Sequence, residues 1–233
     1  MNGSPSAVKE PATRRHVLEI GGQRMELIAP DQPDALLDDP VVEQRYRLDN
    51  YMPYWPVVWP AGLMLAQAIL TGTGSPPVPP SQGGAVLELG CGLGAAGIAA
   101  GGRGWHVTFT DYDAGAIAFA KRNALLNGIP PDRMDALEMD WRKPLGKKFP
   151  WIIAADVLYE RRLHPWLLDA LGQLLAAGGC AWISDPLRNS AQDFPLAAVA
   201  AGFACTAMPL ERCEQGLMQN GTLYILRHAK LKF

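Results

Sequence analysis

Apolar and polar positions follow two rhythms along this 233-residue chain, and the switches between them lay out its elements. Residues 1–14 show no period and are expected to be frayed. Residues 15–29 alternate as a hairpin does: His16-Val17-Leu18-Glu19-Ile20 runs out, Gly21-Gly22 turns, and Met25-Glu26-Leu27-Ile28 returns. Residues 31–39 are polar and acidic, and no regular element is assigned from there to Asn50. Residues 51–60 interleave aromatics with prolines, which fix the shape of the segment and give it contact area. Pro60 suits the first turn of a helix, and Gly62, Leu65, Ala66 and Ile69 recur at helical spacing after it. Residues 71–84, TGTGSPPVPPSQGG, form a linker with no capacity for a core.

Beyond the linker the rhythm changes repeatedly. Residues 85–89 read as a buried strand, followed by a glycine loop and a helix of small residues from about Ala95. A second strand spans 105–110; Asp113 can cap a helix running to about Leu126, stopped by Asn127-Gly128. Strands follow at 134–139 and 151–155. Leu167, Leu168, Leu171, Leu174 and Leu175 make a helical stripe ended by Gly178-Gly179. A fifth strand is expected at 180–184 and a helix around 194–201. Two last strands, near 203–208 and 222–226, are joined by residues 211–221 with no helix between them. This order predicts a doubly wound α/β fold: a mostly parallel seven-stranded sheet, helices on both faces, and an antiparallel C-terminal edge. The division expected is an N-terminal extension with a hairpin over 1–50 and the main domain over 51–233.

Composition narrows the field. A net charge of −2 without a run of Lys or Arg disfavours electrostatic capture of nucleic acid or of an anionic membrane. Four cysteines at 91, 180, 205 and 213 lack a CxxC pair or metal-like spacing, so reduced, mostly buried thiols and no metal are expected. The start of the chain has no apolar core of a signal peptide, and the most apolar stretch, 84–102, is broken by glycines and Glu88, so no membrane helix is expected and the cytoplasm is the default.

The candidate chemistry starts where strand 85–89 runs into Gly90-Cys91-Gly92-Leu93-Gly94 and a helix opens. Glycine is needed where backbone turns sharply and where a ligand touches the main chain. In doubly wound folds ligands bind at this edge of the sheet. Gly92, Gly94 and Gly97 also fit GxGxxG, which suits a dinucleotide, a sulfonium nucleoside or merely a tight turn. Asp111 ends the second strand, where a carboxylate accepts ribose hydroxyls or caps the next helix. Glu88, inside the first strand, favours a cationic ligand such as S-adenosylmethionine over a pyrophosphate. Asp140-Trp141 can bind and stack adenine, or Asp140 can close a turn. Asp156, after the fourth strand, points where a reacting group would lie, or caps a helix. Tyr112 stacks on adenine or covers an edge.

These residues resemble the class I, seven-β-strand methyltransferases, which have a Rossmann-like fold. The specific likeness is to the family-16 branch, the nicotinamide-N-methyltransferase-like protein lysine methyltransferases. It rests on Glu88-x-Gly90-x-Gly92-x-Gly94, Asp111, Asp140-Trp141, a Trp59 helix motif ending in Leu65-Ala66, and Asp156-x-x-Tyr159. Residues 53–62 are most similar to the bacterial and mitochondrial enzymes that methylate lysines on the electron transfer flavoprotein β-subunit. The resemblance covers about residues 45–230; the Pro-rich linker is longer than the family's usual one.

The resemblance implies S-adenosyl-L-methionine as donor, S-adenosyl-L-homocysteine as product, and a lysine on a protein as acceptor. A small-molecule N- or O-methyltransferase is the alternative on the same scaffold. It implies cofactor contacts from Trp59, Glu88, Gly90, Gly92, Gly94, Asp111, Tyr112, Asp140, Trp141 and Ala155. It makes Asp156 the group that orients the amine and Tyr159 a wall of the pocket. Tyr54, Trp55 and Trp59 then wall the acceptor channel, or, for the two tryptophans, pack in the core.

Overall fold

A computed structural model describes residues 12–76, 84–214 and 216–229. The frayed start falls largely on residues 1–11 and half of the linker on 77–83, which lie outside the described residues. The hairpin forms as β1 (Thr13–Ile20) and β2 (Gln23–Pro30), and both glycines of its turn take positive φ. The main sheet comprises β3 (Ala85–Leu89), β4 (His106–Asp111), β5 (Met134–Glu138), β6 (Phe149–Ala155), β7 (Leu175–Asp185), β8 (Phe203–Glu214) and β9 (Leu217–His228). Its order is β5-β4-β3-β6-β7-β9-β8, parallel from β5 to β7 and antiparallel at β9 and β8. The chain winds outward from β3 in one direction and then resumes at β6 on the other side, so the crevice lies at the carboxyl ends of β3 and β6.

The central strands are apolar on both faces because both are covered. Val86, Ile153 and Trp182 face the layer made by the hairpin, α2 (Pro60–Thr71), α3 (Ala95–Gly102) and α4 (Ala114–Leu126). Leu87, Ile152 and Ile183 face α5 (His164–Leu174) and α6 (Phe194–Ala200). Ile20, Met25 and Leu27 of the hairpin belong to the first of these cores. Asn123 and Asn127, one turn apart on α4, hold β2 as a neighbouring strand would. The Asn123 amide bonds Ile28 N–H and C=O at 2.8 and 3.0 Å, and Asn127 does the same for Glu26 at 3.0 and 2.7 Å. Asn123 also donates to Leu93 C=O at 3.1 Å, tying the glycine loop to the same brace.

Three expectations are corrected. Residues 40–49 form a helix, α1 (Pro40–Asp49), which has one buried residue, Val42, and hence no apolar stripe to read. Its ends were marked, for Asp39 accepts from Val41 N–H at 2.8 Å and Asn50 closes it in the left-handed region. The leucine helix ends at Leu174 rather than at Gly178-Gly179. Leu175 already pairs with Phe149, and the ladder resumes out of step at Trp151 and Cys180. Residues 211–214 and 217–221, expected as a connection, are sheet, with β8 and β9 paired out to Glu214 and Leu217. The inward Arg212, 3% exposed, is held by Glu214 and Gln219, so a charged residue occupies what is a core position. Cys91 and Cys180 are buried, Cys205 half-buried and Cys213 exposed, all as free thiols. Among the described residues no helix is long and apolar enough to cross a membrane, and no group of three or more His, Cys, Asp or Glu is placed to hold a metal.

Candidate active site

A cleft of about 420 Å³ opens at the carboxyl ends of β3, β4 and β6, beneath residues 49–59. That volume lies within the roughly 300–1,000 Å³ range of small-ligand sites. Gly90, Gly92, Asp111, Tyr112, Asp140, Trp141, Ala155, Asp156, Tyr159 and Trp59 all line it; Glu88 and Gly94 do not.

The floor is bare backbone. Gly90 and Gly92 take φ of +63° and +50°. A Cβ on Gly92 would stand 3.3 Å from the Trp55 carbonyl, and one on Gly90 3.3 Å from Val157. Cys91 N–H reaches Thr110 C=O at 2.9 Å, which sets the loop against the end of β4. Asp111 holds the floor in place, accepting Gly92 N–H at 2.9 Å and Asp113 N–H at 3.1 Å. Burial pushes its carboxyl up to about 6, against the lowering pull of those amides. The helix cap belongs to Asp113, which accepts Gly115 N–H at 2.7 Å and the Tyr51 hydroxyl at 2.5 Å.

Glu88 lies under this floor. Its carboxyl accepts Gly97 N–H at 3.1 Å in the first turn of α3, and burial pushes it up to about 8. The charge expected to meet a cationic ligand is therefore a buried, mostly protonated cap that presents none to the cleft. Gly94 is the N-cap of α3, where a Cβ would stand 3.2 Å from Ala120 and Phe109; it serves packing.

Along one wall, Arg142 pairs with Asp140. Its backbone N–H and Nε reach Asp140 Oδ1 at 2.9 Å each, and its Nη2 reaches Oδ2 at 2.7 Å. Burial would raise the Asp140 carboxyl, but the hydrogen bonds and charge of Arg142 outweigh it and hold the group below its ordinary range. Asp140 thus closes a turn and anchors Arg142, which extends to Asp49 at 3.3 Å. The Tyr112 hydroxyl donates to Asp49 at 3.0 Å, while Arg45 and Arg142 lie 5.3 and 5.8 Å from its ring centre. Tyr112 therefore ties α1 to the sheet edge. Trp141 lies over the glycine loop, 3.5 Å from where a Gly90 Cβ would stand.

On the β6 side Asp156 takes φ of +56°, with its N–H on Ser184 C=O at 3.0 Å. Its Oδ2 accepts Ala61 N–H at 3.2 Å, capping α2, whose own N-cap Trp59 offers no side-chain acceptor. Its Oδ1 accepts Arg188 Nε and Nη2 at 3.2 and 2.5 Å. Burial raises the Asp156 carboxyl, and Arg188 opposes the rise. Three rings line the same cleft. Tyr54 meets Tyr159 edge-on at 5.4 Å and 77°, and Trp59 at 6.2 Å and 81°; Trp59 Nε1 donates to Tyr54 C=O at 2.8 Å. Burial pushes the Tyr159 hydroxyl up to about 12, so it stays protonated. Arg188 was not singled out in the sequence. Its signal was its place just past the carboxyl end of β7, on the same edge as the other acids. Chemically, the cleft offers bare backbone and one carboxylate for hydroxyls, and a second carboxylate and aromatic rings for a cation.

Residues 55–194 match the family described as lysine methyltransferase. The electron transfer flavoprotein beta subunit lysine methyltransferase of Xenopus laevis is 33% identical over 149 residues, 62% of this chain and 56% of that protein. Protein N-lysine methyltransferase METTL21A of Xenopus tropicalis is 34% identical over 137 residues, 57% of this chain and 60% of that protein. The chain thus spans little more than half the length of the curated relatives it matches. Among solved structures, the glycopeptide N-methyltransferase MtfA, complexed with S-adenosyl-L-homocysteine, superposes with a TM-score of 0.56. It is 17% identical and covers 82% of this chain and 98% of that one, a likeness of fold.

Proposed function

The chain belongs to the lysine methyltransferase family, and from that premise we propose that it methylates the ε-amine of a lysine on a protein, with S-adenosyl-L-methionine as donor. The observation that carries the reading is a single cleft of about 420 Å³ lined by the bare glycine loop, Asp111, Asp156 and aromatic side chains. The residues fit the donor. A Cβ at Gly90 or Gly92 would fill the floor, and Asp111 keeps lone pairs free beyond the two amides it accepts. When bound, the donor supplies an electrophilic methyl group on a sulfonium. Asp111 accepts its hydroxyls, and Trp141 and Ala155 bound the space above the loop.

A free lysine titrates near ~10.4, so the acceptor arrives as an ammonium and must give up a proton to solvent before its nitrogen attacks. Asp156 orients it and takes its hydrogen bond, Tyr159 and Trp59 exclude water, and the ring faces tolerate the positive charge of the product. The relatives named for protein lysines support a protein acceptor, and the four free thiols support a cytoplasmic setting. Residues 51–233 are taken as the catalytic unit and 1–50 as an extension whose Asp49 reaches the cleft.

Radiolabelled donor with cell extract tests the reading. Label on lysines of a protein band is expected, and it should be lost with Asp156→Ala. Label confined to the low-mass fraction would instead make this a small-molecule methyltransferase. Calorimetry showing no binding of S-adenosyl-L-homocysteine would end the proposal.

A further inference from the structure

At the acceptor end of the cleft the chain already holds a cation of its own. The Arg188 guanidinium donates twice to Asp156 Oδ1, and its Cζ lies 5.5 Å from the centre of the Trp59 ring. A carboxylate on one side and an indole face on the other are the two contacts an alkylammonium seeks. Among the described residues Arg188 is the one cation paired with Asp156.

The way it is held matters. The Arg188 main chain is fixed, its N–H on Asp185 Oδ1 at 2.7 Å, while its side chain is 31% exposed against 7% for Asp156. The guanidinium therefore reaches in from solvent over two buried acids, Asp156 and, 3.9 Å from its Nε, Asp185; withdrawing it breaks side-chain contacts but not the backbone bond. Leu187, just before it, stands 60% exposed at φ +64°, a strained conformation for a bulky residue. Such strain clusters at segments that switch or clamp. Two cations cannot share Asp156 Oδ1 and the same ring face, because each would meet the other's charge at contact distance.

The geometry points to Arg188 as a resident occupant of the acceptor subsite, resting on Asp156 and Trp59 until an incoming alkylammonium displaces it. The inference rests on the proposed lysine reading and adds that acceptor binding is an exchange of one cation for another. Leaving Asp156 with no cation and only the Ala61 N–H would strand a buried charge, whereas exchange keeps it paired throughout.

The test uses n-butylammonium chloride as probe and the whole protein. In wild type, the Arg188 Nε–H resonance, assigned by its loss in Arg188→Lys, shifts as the probe is added, while that of Arg142 does not. Arg188→Met binds the probe about tenfold tighter than wild type, the factor expected if Arg188 fills the subsite about 90% of the time. Arg188→Lys, which keeps a cation there, binds it as wild type does. An Arg188 resonance that does not move, equal or weaker binding by Arg188→Met, or no binding by either protein overturns the inference. The wild-type titration decides alone if the Met variant does not fold. Calorimetry of S-adenosyl-L-homocysteine on the same samples separates the two ideas: binding of it without displacement of Arg188 sinks only the exchange, and its failure to bind sinks the methyltransferase reading.

Discussion

Asp111 gives the proposed cofactor site a pH signature that can be worked out in advance. Its carboxylate, which titrates at about 6, would accept the ribose hydroxyls only when ionised. Apparent affinity scales with the fraction of protein in the competent state. The dissociation constant for S-adenosyl-L-homocysteine should thus stay flat above pH 7.5, double at about pH 6 and rise about 11-fold at pH 5. Binding at pH 6 should release about half a proton, visible as a heat that varies with buffer ionisation enthalpy. The group's own contribution to folding has the opposite sign. The folded carboxyl holds its proton more tightly than the unfolded one at 3.8, so this group adds stability as pH falls from about 6 towards 3.8. Tyr159 titrates near 12, above the window, and Glu88 near 8, at its upper edge and under the floor, away from the cleft lining. Asp111→Asn supplies the control. Its oxygen still accepts Gly92 N–H, but two charge-assisted bonds become neutral ones, costing about 2–3 kcal/mol, or about 30- to 150-fold in affinity. Its pH profile should be flat. A wild-type affinity independent of pH between 5 and 8, or the same slope in the Asn variant, refutes the role given to Asp111.

Other outcomes follow from the packing around the site. Glu88→Gln should raise the melting temperature at pH 8 and flatten stability against pH between 4.5 and about 8, since the raised carboxyl costs stability as pH climbs through that window; scanning fluorimetry across pH reads it. In Gly97→Ala the new Cβ would stand 2.4 Å from both Glu88 Oε2 and Phe109 Cε1. That overpacking should cost about 1–3 kcal/mol, or about 2–4 °C of melting temperature for each kcal/mol. Asn123→Ala strands Ile28 N–H and C=O and the Leu93 carbonyl, and should lose about 2–5 kcal/mol in urea unfolding. The Ile28 amide should then exchange faster than amides of the central strands.

The sheet was readable because its central strands are apolar on both faces and their loops carry glycine where φ is positive. Elements that break one of those rules were not. α1 is polar nearly all round, and its cap residues spoke only to its ends. The outer halves of β8 and β9 hide a charged residue inward, which alternation alone assigns to solvent. The site divides along the same line. Gly90 and Gly92 were legible because no other residue type takes those backbone angles freely, and Asp111 because strand ends on this edge face the crevice. What the acids do there depends on which cations reach them. Asp140 meets Arg142 two positions on, and Asp156 meets Arg188 thirty-two positions away across the sheet edge. Asp111 meets only amide donors and remains open to a ligand. Three acids at successive strand ends therefore look equivalent along the chain and differ in the fold: one is paired within a turn, one meets no cation, and one is held by a cation at a position where the proposed reaction needs another. The difference between the last two is electrostatic. A carboxylate that meets only amides can take hydroxyl donors directly, whereas one already paired to a guanidinium can take a second cation only by exchange.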